Sequence, residues 1–307
     1  MSNLNTEQIK LKLNKIIFTQ ENLINSISIF PSGNIITVSK DKSIRIYEMN
    51  FNIIQIIQNA HSNHITYVDI KNEDNFVTCS FDNSIKTWIK KSELNENKYI
   101  ENHYIKNAHK NLIYNVIYDQ NEKIISCGGD RRVIIWEKNN KNNKYQSITS
   151  LTHSKRVLSI LLLENKNIII SSGDDGTIFW NFQNCILIIH FNNAVCSHWN
   201  SLKKLDDKNI IVGGYDGFLK IISINEKQII KNIENKFMCW GICVIENKGL
   251  FITGGYCKDI KIYKNDNYEC IQIIKDVDDR MIFGFVRLKN GLIASYGSNK
   301  KLILWSL

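Results

Sequence analysis

The chain lacks the features by which membrane proteins, secreted proteins and most enzymes are recognised. No apolar run approaches the roughly 18 residues that indicate a membrane-spanning helix, and residues 1–7 carry no apolar signal core. There is no glycine-rich phosphate loop before a helix, no nucleophile elbow and no HExxH motif. We therefore expect no membrane insertion, no enzymatic activity and no cofactor.

Cysteine pairs at metal-binding spacing are also missing. None of the eight cysteines belongs to a CxxC motif, and Cys239 with Cys243 has no matching Cys or His pair nearby. Several cysteines fall in apolar runs, where a free thiol packs as a small hydrophobic group. We expect no metal site and a reduced, intracellular protein, in the cytoplasm or the nucleus.

Proline and helix signals are scarce as well. The single proline is Pro31, and no segment carries clear helix-capping residues. Short runs of apolar and polar residues follow one another instead, separated by turn residues such as Ser32, Gly33 and Asn34. This pattern is typical of an all-β chain. Because no linker divides it, we predict one domain over residues 1–307.

One short motif recurs along the whole chain. In residues 126–136, a turn with Gly and Asp leads into an alternating strand, and Trp136 closes that strand six residues after Asp130. The template occurs seven times, with closing residues Tyr47, Trp88, Trp136, Trp180, Ile222, Tyr263 and Trp305. Neighbouring closing residues are 41 to 48 residues apart. A period of this length predicts a solenoid, a propeller or another repeat array.

Three histidines follow the same period. His61, His109 and His153 each lie 27 residues before the tryptophan that closes their unit. With an early Gly-His-like pair and a late Trp, units two to four resemble WD repeats most strongly, and the common period extends the resemblance to the other units. The resemblance implies an all-β, seven-bladed β-propeller with four antiparallel strands per blade. It also implies that a strand in residues 10–18 supplies the missing fourth strand of the last blade.

Parts of the chain depart from the regular units. Residues 1–7 are expected to be a short polar tail. Residues 90–107 are rich in Glu, Asn and Lys, and we expect them to form an exposed loop. In the fifth unit, residues 201–208 are expected to be an extension between its first two strands.

The recurring polar residues invite a catalytic interpretation, but the resemblance implies a structural one. In WD repeats, the His of the loop before each blade, the Asp of the second turn, a strand Ser or Thr and the Trp form a hydrogen-bonded tetrad. Such a network satisfies polar groups that are costly to bury unpaired. Carried over by position, the tetrad members are His61, Ser80, Asp82 and Trp88 in unit two, His109, Asp130 and Trp136 in unit three, and His153, Ser172, Asp174 and Trp180 in unit four.

Some units do not contain all the residues of the tetrad. In unit three, Gly128 stands where the Ser is expected. Units five to seven lack the device, so we expect them to depend on apolar contacts and to form the softer side of the ring. His109→Ala should therefore destabilise the protein more than a substitution of Lys236, which occupies the His position in unit six.

The resemblance also places the second turns and the preceding loops on one rim, around the mouth of a central channel. The candidate partner-binding residues of this rim are Lys40, Lys42, Phe81, Arg131, Arg132, Trp199, Tyr215, Trp240, Tyr256, Lys258, Lys300 and Lys301. The five lysines belong to adjacent units six, seven and one, so they should form a basic arc, with exposed aromatics as anchors. Trp199 and Trp240 either line the channel mouth or fill space left by missing histidines.

These features favour a non-catalytic scaffold or adaptor subunit of a larger complex, monomeric as a propeller. Basic residues around an aromatic mouth suit acidic peptide segments of other proteins. The net charge of +9 also allows RNA binding, although the basic positions are sparse for a nucleic-acid interface. A substrate-recognition subunit of a ubiquitin ligase is a further alternative, but the Trp-Asp-x-Arg adaptor signature is absent.

Overall fold

The computed structural model describes residues 10–18, 22–93, 96–277 and 281–307. The tail expected in residues 1–7 lies outside these ranges. Within them, 28 strands form seven antiparallel sheets of four strands, arranged as the blades of a ring. Single turns of 3-10 helix occur at Glu164–Lys166 and Glu246–Lys248. The seven-bladed, all-β propeller implied by the resemblance to WD repeats is confirmed.

The strands follow one another in chain order from the inner to the outer edge of each blade, and the first strand of the chain joins the last blade. That first strand is β1 (Lys12–Phe18). Blades one to three contain β2 (Ile24–Ile29), β3 (Ile35–Ser39), β4 (Ile44–Tyr47) and β5 (Ile53–Ile57); β6 (Ile65–Ile70), β7 (Asn75–Ser80), β8 (Ile85–Glu93) and β9 (Glu96–Ile105); and β10 (Ile113–Tyr118), β11 (Ile124–Gly128), β12 (Arg132–Asn139) and β13 (Lys144–Thr152).

The second half of the ring repeats this arrangement. Blades four and five contain β14 (Val157–Leu163), β15 (Ile168–Gly173), β16 (Gly176–Asn181) and β17 (Leu187–Phe191); and β18 (Leu202–Lys204), β19 (Asn209–Gly213), β20 (Phe218–Ser223) and β21 (Gln228–Glu234). Blades six and seven contain β22 (Cys239–Ile245), β23 (Leu250–Gly255), β24 (Ile260–Lys264) and β25 (Cys270–Ile274); and β26 (Ile282–Arg287), β27 (Ile293–Gly297) and β28 (Lys301–Ser306).

The ring is closed by the N-terminal strand. β1 pairs antiparallel with β28, so that Leu13 lies opposite Trp305 and Phe18 opposite Lys301. Leu11, just before β1, is buried, and its backbone exchanges two hydrogen bonds with the side-chain amide of Gln272 on blade six, at 2.8 and 3.1 Å. The predicted closure is therefore confirmed: β1 covers the edge of β28 and becomes the outer strand of the last blade.

The core lies between the blades. The first strand of each blade contacts the first strand of the next, from β2 around the ring to β26 and back to β2. Seven clusters of buried apolar side chains follow this arrangement, and each is built mainly from two neighbouring blades. Between blades one and two, for example, Ile36 and Val38 pack against Ile65 and Phe76. Each blade therefore depends on its neighbours for stability.

The expectation of an exposed loop in residues 90–107 is wrong. β8 and β9 instead extend the outer hairpin of blade two, which covers most of that segment. The reason is a buried tyrosine in the polar run: Tyr99 is 5% exposed, and its ring stacks on Phe30 of blade one at 5.3 Å. Gln55 on β5 also exchanges two hydrogen bonds with the backbone of Tyr99. These contacts order a segment whose composition suggests a loop.

The expected extension in residues 201–208 is also misplaced. β18 occupies residues 202–204 and β19 begins at Asn209, so the turn between the first two strands of blade five is short. The additional residues, 192–201, come before β18, because β17 ends at Phe191. This long loop extends into the centre of the ring.

Candidate functional site

The ring has two distinct ends. The upper rim carries the turns between the second and third strands of the blades, such as residues 81–84 in blade two. It also carries the leading loops, which precede the first strand of each blade. The lower mouth is the opposite end of the channel, where the first strands of the blades end.

In blade three, four side chains form one hydrogen-bonded chain beneath the upper rim. Nδ1 of His109 lies 2.8 Å from Oδ1 of Asp130, and its Nε2 lies 2.8 Å from Oγ of Ser126. The indole Nε1 of Trp136 donates to the same Ser126 oxygen at 2.9 Å. The structure thus brings together His109, Asp130 and Trp136. The expectation that the hydroxyl is missing because of Gly128 is wrong, since Ser126 supplies it.

Blade two has the same chain with a threonine in place of the serine. Nε2 of His61 lies 2.8 Å from Oγ1 of Thr78, which also accepts the Nε1 proton of Trp88 at 2.9 Å. Nδ1 of His61 contacts Asp82 at 3.1 Å. The assignment of Ser80 to the tetrad is wrong, because Ser80 lies nearer the turn. There it accepts the backbone N–H of Asp82 at 3.0 Å.

Two further tetrad assignments, both in blade four, are wrong. His153 contacts Asp175 and Ser171, each at 2.7 Å, and Trp180 donates to Ser171 at 2.7 Å. Asp174 and Ser172 are therefore not members. Asp175 takes the carboxylate position because Gly173 pairs directly with Gly176, so that Asp174 and Asp175 are the two residues of the turn.

The two displaced residues of blade four have other partners. Asp174 accepts a hydrogen bond from Nε of Arg156 at 2.7 Å. The Ser172 hydroxyl bonds to Thr177 at 2.6 Å. Both residues therefore stabilise the turn without belonging to the tetrad.

Burial and hydrogen bonding act in opposite directions on the pKa values of the blade two tetrad. Burial lowers the pKa of His61, which is 1% exposed. Burial would raise the pKa of Asp82, but hydrogen bonds from His61, Ser84 and the backbone of Ser62 outweigh it and hold that pKa well below its usual range. At pH 7, neutral His61 therefore donates its Nδ1 proton to the carboxylate and accepts the hydroxyl proton of Thr78.

The order hydroxyl, imidazole, carboxylate is the order of a catalytic triad, but the geometry does not allow its chemistry. A nucleophilic hydroxyl must reach its substrate. Thr78, Ser126 and Ser171 are each 0% exposed, and a tryptophan N–H occupies each of their oxygens. The arrangement can hold the leading loop against the turn, and it satisfies three buried polar groups at once.

In blades one, five and six, a buried cation occupies the position that the tetrad has in blades two to four. The cation lies on the third strand and is 6–8% exposed. The pairs are Arg45 with Asp41, Lys220 with Asp216, and Lys261 with the backbone carbonyl of Asn235. The expectation that units five to seven depend on apolar contacts alone is therefore wrong for blades five and six. Blade seven keeps one part of the tetrad, a 2.9 Å hydrogen bond from Trp305 to Ser295.

Most of the candidate rim residues are exposed at the upper turns. Lys40, Arg131, Arg132, Lys258, Lys300, Tyr215 and Tyr256 are exposed, and Lys42 and Lys301 are half-buried. The lysines belong to blades six, seven and one, which are neighbours in the ring. Phe81 is an exception to the expected exposure, because its ring packs edge-on against Tyr114 and Trp199 at 5.8 and 6.4 Å.

Several of these basic residues adopt a backbone conformation that favours glycine. Lys42, Arg131, Lys258 and Lys300 have φ between 61° and 69° at equivalent positions of four turns. In blade five, Gly217 has φ 80° at that place. A residue with a Cβ is strained in this region by about 1–2 kcal/mol. The four cations therefore occupy positions where glycine would be more favourable for folding.

The centre of the ring is filled by the leading loop of blade five. The indole Nε1 of Trp199 donates to the carbonyl of Asn25 on blade one at 3.2 Å. The Trp199 carbonyl accepts hydrogen bonds from Asn115 on blade three and Ser159 on blade four, both at 3.0 Å. Asn200 donates to the carbonyl of Phe283 on blade seven at 3.1 Å. Trp199 thus lies within the channel and ties together blades that are distant along the chain.

Aromatic rings surround His198 beside this tryptophan. The imidazole stacks on Trp240 at 5.0 Å with an interplanar angle of 8°, and its centroid lies 3.8 Å from that of Trp199 and 5.7 Å from that of Phe283. Burial lowers the pKa of His198 to about 3. The ring is therefore neutral at pH 7. Trp240 forms part of this cluster and reaches towards Tyr256, at 6.4 Å.

The upper rim also carries an apolar surface that the repeat pattern did not predict as a unit. We call it the rim patch; its members are 39–55% exposed and are Tyr215, Phe218, Phe237, Met238 and Tyr256. Backbone hydrogen bonds join the segments that carry them, from Lys236 to Gly217 at 3.0 Å and from Tyr256 to Met238 at 3.1 Å. The sequence signal was present, because Phe237 and Met238 directly follow the lysine at the His position of unit six.

The cysteines behave as apolar residues. All eight are free thiols, and Cys79, Cys127, Cys196, Cys239 and Cys243 are buried. Burial raises the pKa of Cys196 and of Cys243 to about 11, so both thiols are protonated at pH 7. Among the described residues, no group of three or more His, Cys, Asp or Glu is arranged to hold a metal ion.

Comparison with known proteins agrees with this architecture. The family model described as WD domain, G-beta repeat matches residues 13–48, 53–88, 101–137 and 145–180. These matches end at or next to the closing residues of the first four units. A search of the curated proteins finds no match. Along the described residues, no helix has the length and apolar character needed to cross a bilayer. The four matched repeats and the ring of seven four-stranded blades show that the chain belongs to the WD-repeat family of β-propellers.

Proposed function

We propose that the protein is a non-catalytic scaffold or adaptor subunit of a larger intracellular complex. In this proposal, a monomeric propeller binds acidic segments of other proteins through its upper rim. Propellers of this family are commonly protein-interaction scaffolds and are generally non-catalytic. The 0% exposure of the tetrad hydroxyls supports the same conclusion, because no substrate can reach them.

The observation that carries the proposal is the rim patch. Monomeric proteins rarely expose contiguous large apolar side chains without a partner. The patch contains three residue types, Phe, Tyr and Met, that are enriched at the centres of protein interfaces. It stands beside Trp240, which is held in place by stacking on His198 and therefore offers a rigid surface.

Charge around the patch supports an acidic partner. Lys236 and Lys258 are exposed on the same blade, and Lys300 is exposed on the next one. Lys258 and Lys300 adopt φ values of 61° and 62°, where glycine would be less strained. Backbone strain that persists is concentrated at functional sites. An acidic segment with aromatic or aliphatic anchors would complement both the patch and these cations.

Affinity purification of the tagged chain from its native organism tests the proposal. The test variant is Phe237→Ser with Tyr256→Ser, which removes two members of the rim patch. The matched control is Ile273→Ser, because Ile273 is 51% exposed on the outer strand of the same blade. Quantitative mass spectrometry should show that a defined set of proteins is reduced about tenfold by the patch variant and retained by the control. Equal recovery from all three chains would contradict the proposal.

A salt series separates the protein partner from RNA. Binding that depends on phosphate contacts falls steeply with salt concentration, whereas binding anchored by aromatic side chains falls less. We expect the captured proteins to remain at about 0.3 M salt and after nuclease treatment. Loss of the whole set after nuclease treatment would instead assign the upper rim to an RNA-associated complex.

A further inference from the structure

The lower mouth of the channel contains a cavity that the scaffold role does not use. Its volume is about 290 Å³, and it lies where the first strands of blades two to five end. Trp199, which fills the channel, is one of its lining residues. Apolar side chains such as Ile117 and Leu162 and a few polar groups share its wall. This combination is typical of small-molecule sites, and the volume is near the lower end of their range.

Two opposite charges line this cavity without forming an ion pair: burial raises the pKa of Asp69, and the charge of Lys203 lowers it by a smaller amount. Asp69 lies near the end of β6, and Lys203 lies on β18. In the described ranges of the chain, neither side chain has an oppositely charged group within 4.0 Å. The Asp69 carboxylate accepts the backbone N–H of Tyr118 at 2.8 Å, and its burial raises its pKa to about 6. A cation placed beside this carboxylate would therefore be strongly favoured.

A buried acceptor in the same wall also lacks a donor. Asn115 is 1% exposed and lines the cavity, and its Nδ2 donates to the Trp199 carbonyl. Its Oδ1 has no hydrogen-bond partner among the described residues. An unpaired buried polar atom is costly and is rare in native proteins. A ligand donor that reaches this atom would complete its hydrogen bonding.

We propose that this cavity binds a small zwitterion of the amino-acid class. Its ammonium group lies at Asp69 and donates to the free Oδ1 of Asn115, and its carboxylate lies at Lys203. A ligand with one charge would contact only one of Asp69 and Lys203, whereas a zwitterion places an opposite charge beside each of them. Glu164 also lines the cavity, but its hydrogen bond from the backbone N–H of Gln120, at 2.7 Å, lies in an exposed position, whereas the Tyr118 hydrogen bond to Asp69 is part-buried.

Titration calorimetry with simple ω-amino acids tests the ligand class. The probes are glycine, β-alanine, γ-aminobutyrate and 5-aminovalerate, which place the two charges at increasing separations. n-Butylamine and butyrate are the controls with a single charge. We expect one or more of the zwitterions to bind one to one, at least tenfold more tightly than either control. If no probe binds more tightly than the controls, the proposal is overturned.

Variants of the intact chain locate the site. Asp69→Asn and Lys203→Met should each weaken binding of the best probe at least tenfold. Lys204→Met is the matched control on the same strand, because Lys204 pairs with the exposed Asp207 and does not line the cavity. Its Kd should stay within twofold of the native value. Equal weakening by Lys204→Met and Asp69→Asn would overturn the assignment.

A stability measurement separates loss of the site from loss of the fold. Without ligand at pH 8, Asp69→Asn should melt at the same temperature as the native protein or higher, since the amide removes a buried charge. A lower Tm together with unchanged probe binding would contradict the role of Asp69. The rim variant Phe237→Ser with Tyr256→Ser should retain probe binding, so failure of one proposal leaves the other open to its own test.

Discussion

Blades two to four and blades five and six hold their upper turns in place by different means. In blades two to four, a histidine joins a carboxylate to a hydroxyl and a tryptophan. In blades five and six, a single buried lysine contacts the turn or the leading loop instead. Both solutions satisfy buried polar groups, but only the first requires a histidine in the leading loop.

Because of this difference, the leading loops of the two groups of blades carry different side chains. Where the histidine is present, the loop is held against its turn and contributes few exposed apolar side chains. Where it is missing, the loop of blade five fills the channel with Trp199, and the loop of blade six contributes Phe237 and Met238 to the rim patch. The features proposed to bind partners thus gather where the structural device has been replaced.

The largest expected effect concerns the residue that fills the channel. Trp199→Ala should lower the free energy of unfolding by about 3–5 kcal/mol, because it removes a large aromatic side chain from between the blades. Tyr256→Ala, which truncates a 55% exposed aromatic, should change it by less than about 0.5 kcal/mol. Urea denaturation measures both values. Similar losses for the two variants would show that the channel loop does not join the two sides of the ring.

A smaller effect is expected when blades two to four are compared with blades five and six at the residue that precedes the first strand. His109→Ala should cost about 1–3 kcal/mol, since Asp130 and Ser126 both lose a partner in a buried network. Lys236→Ala, at the same position of blade six, should cost less than about 0.5 kcal/mol because Lys236 is exposed. The two midpoints can be compared by thermal melting. Equal shifts in melting temperature would contradict the proposed difference between blades two to four and blades five and six.

The pH dependence of stability tests the histidine in the channel. His198 has a folded pKa of about 3, whereas the ordinary value is 6.5. Between these values the unfolded chain binds the additional proton, so acid favours unfolding. The free energy of unfolding should therefore fall as the pH drops below 6.5, by about 2 kcal/mol from this group between pH 7.5 and 5.

The variant His198→Phe isolates this contribution. Its pH profile should be flatter than the native one by that amount, measured by urea denaturation at each pH. His61 and Asp82, whose pKa values are lowered, also make the protein less stable as the pH falls, and Asp69, whose pKa is raised, has the opposite effect. All three residues are present in both chains, so they do not change the difference between the two profiles. Parallel profiles for the two chains would contradict a buried, neutral His198.

The smallest expected effect concerns the strained turn residues. Lys258→Gly should raise the free energy of unfolding by about 1 kcal/mol, because φ is 61° at that residue. The reverse change in blade five, Gly217→Lys, should lower it by at least about 1 kcal/mol. A Cβ there would lie 3.3 Å from the carbonyl carbon of Lys236. Chemical denaturation of the two variants should show opposite signs, and equal signs would argue against backbone strain at these positions.

The tetrads show how far local spacing can be used and where it fails. Counting from each tryptophan located the histidines correctly but placed the hydroxyl at Ser80 and Ser172 instead of Thr78 and Ser171. A better rule was available, because the hydroxyl lies ten residues before the closing tryptophan in blades two, three and seven. No spacing rule reveals the shift to Asp175, since it results from a turn shortened by the pairing of Gly173 with Gly176.

The resemblance to WD repeats supplied the closure by residues 10–18. The amino-acid sequence by itself determined the number of repeat units and the strand pattern of most blades. These features depend on alternation and turn residues within about 40 positions, which a linear sequence displays directly. Only the tertiary structure decided the filled channel, the rim patch and the lower cavity. They combine side chains from separate blades, such as Trp199 and Asn25, which are 174 residues apart and meet only because the ring closes.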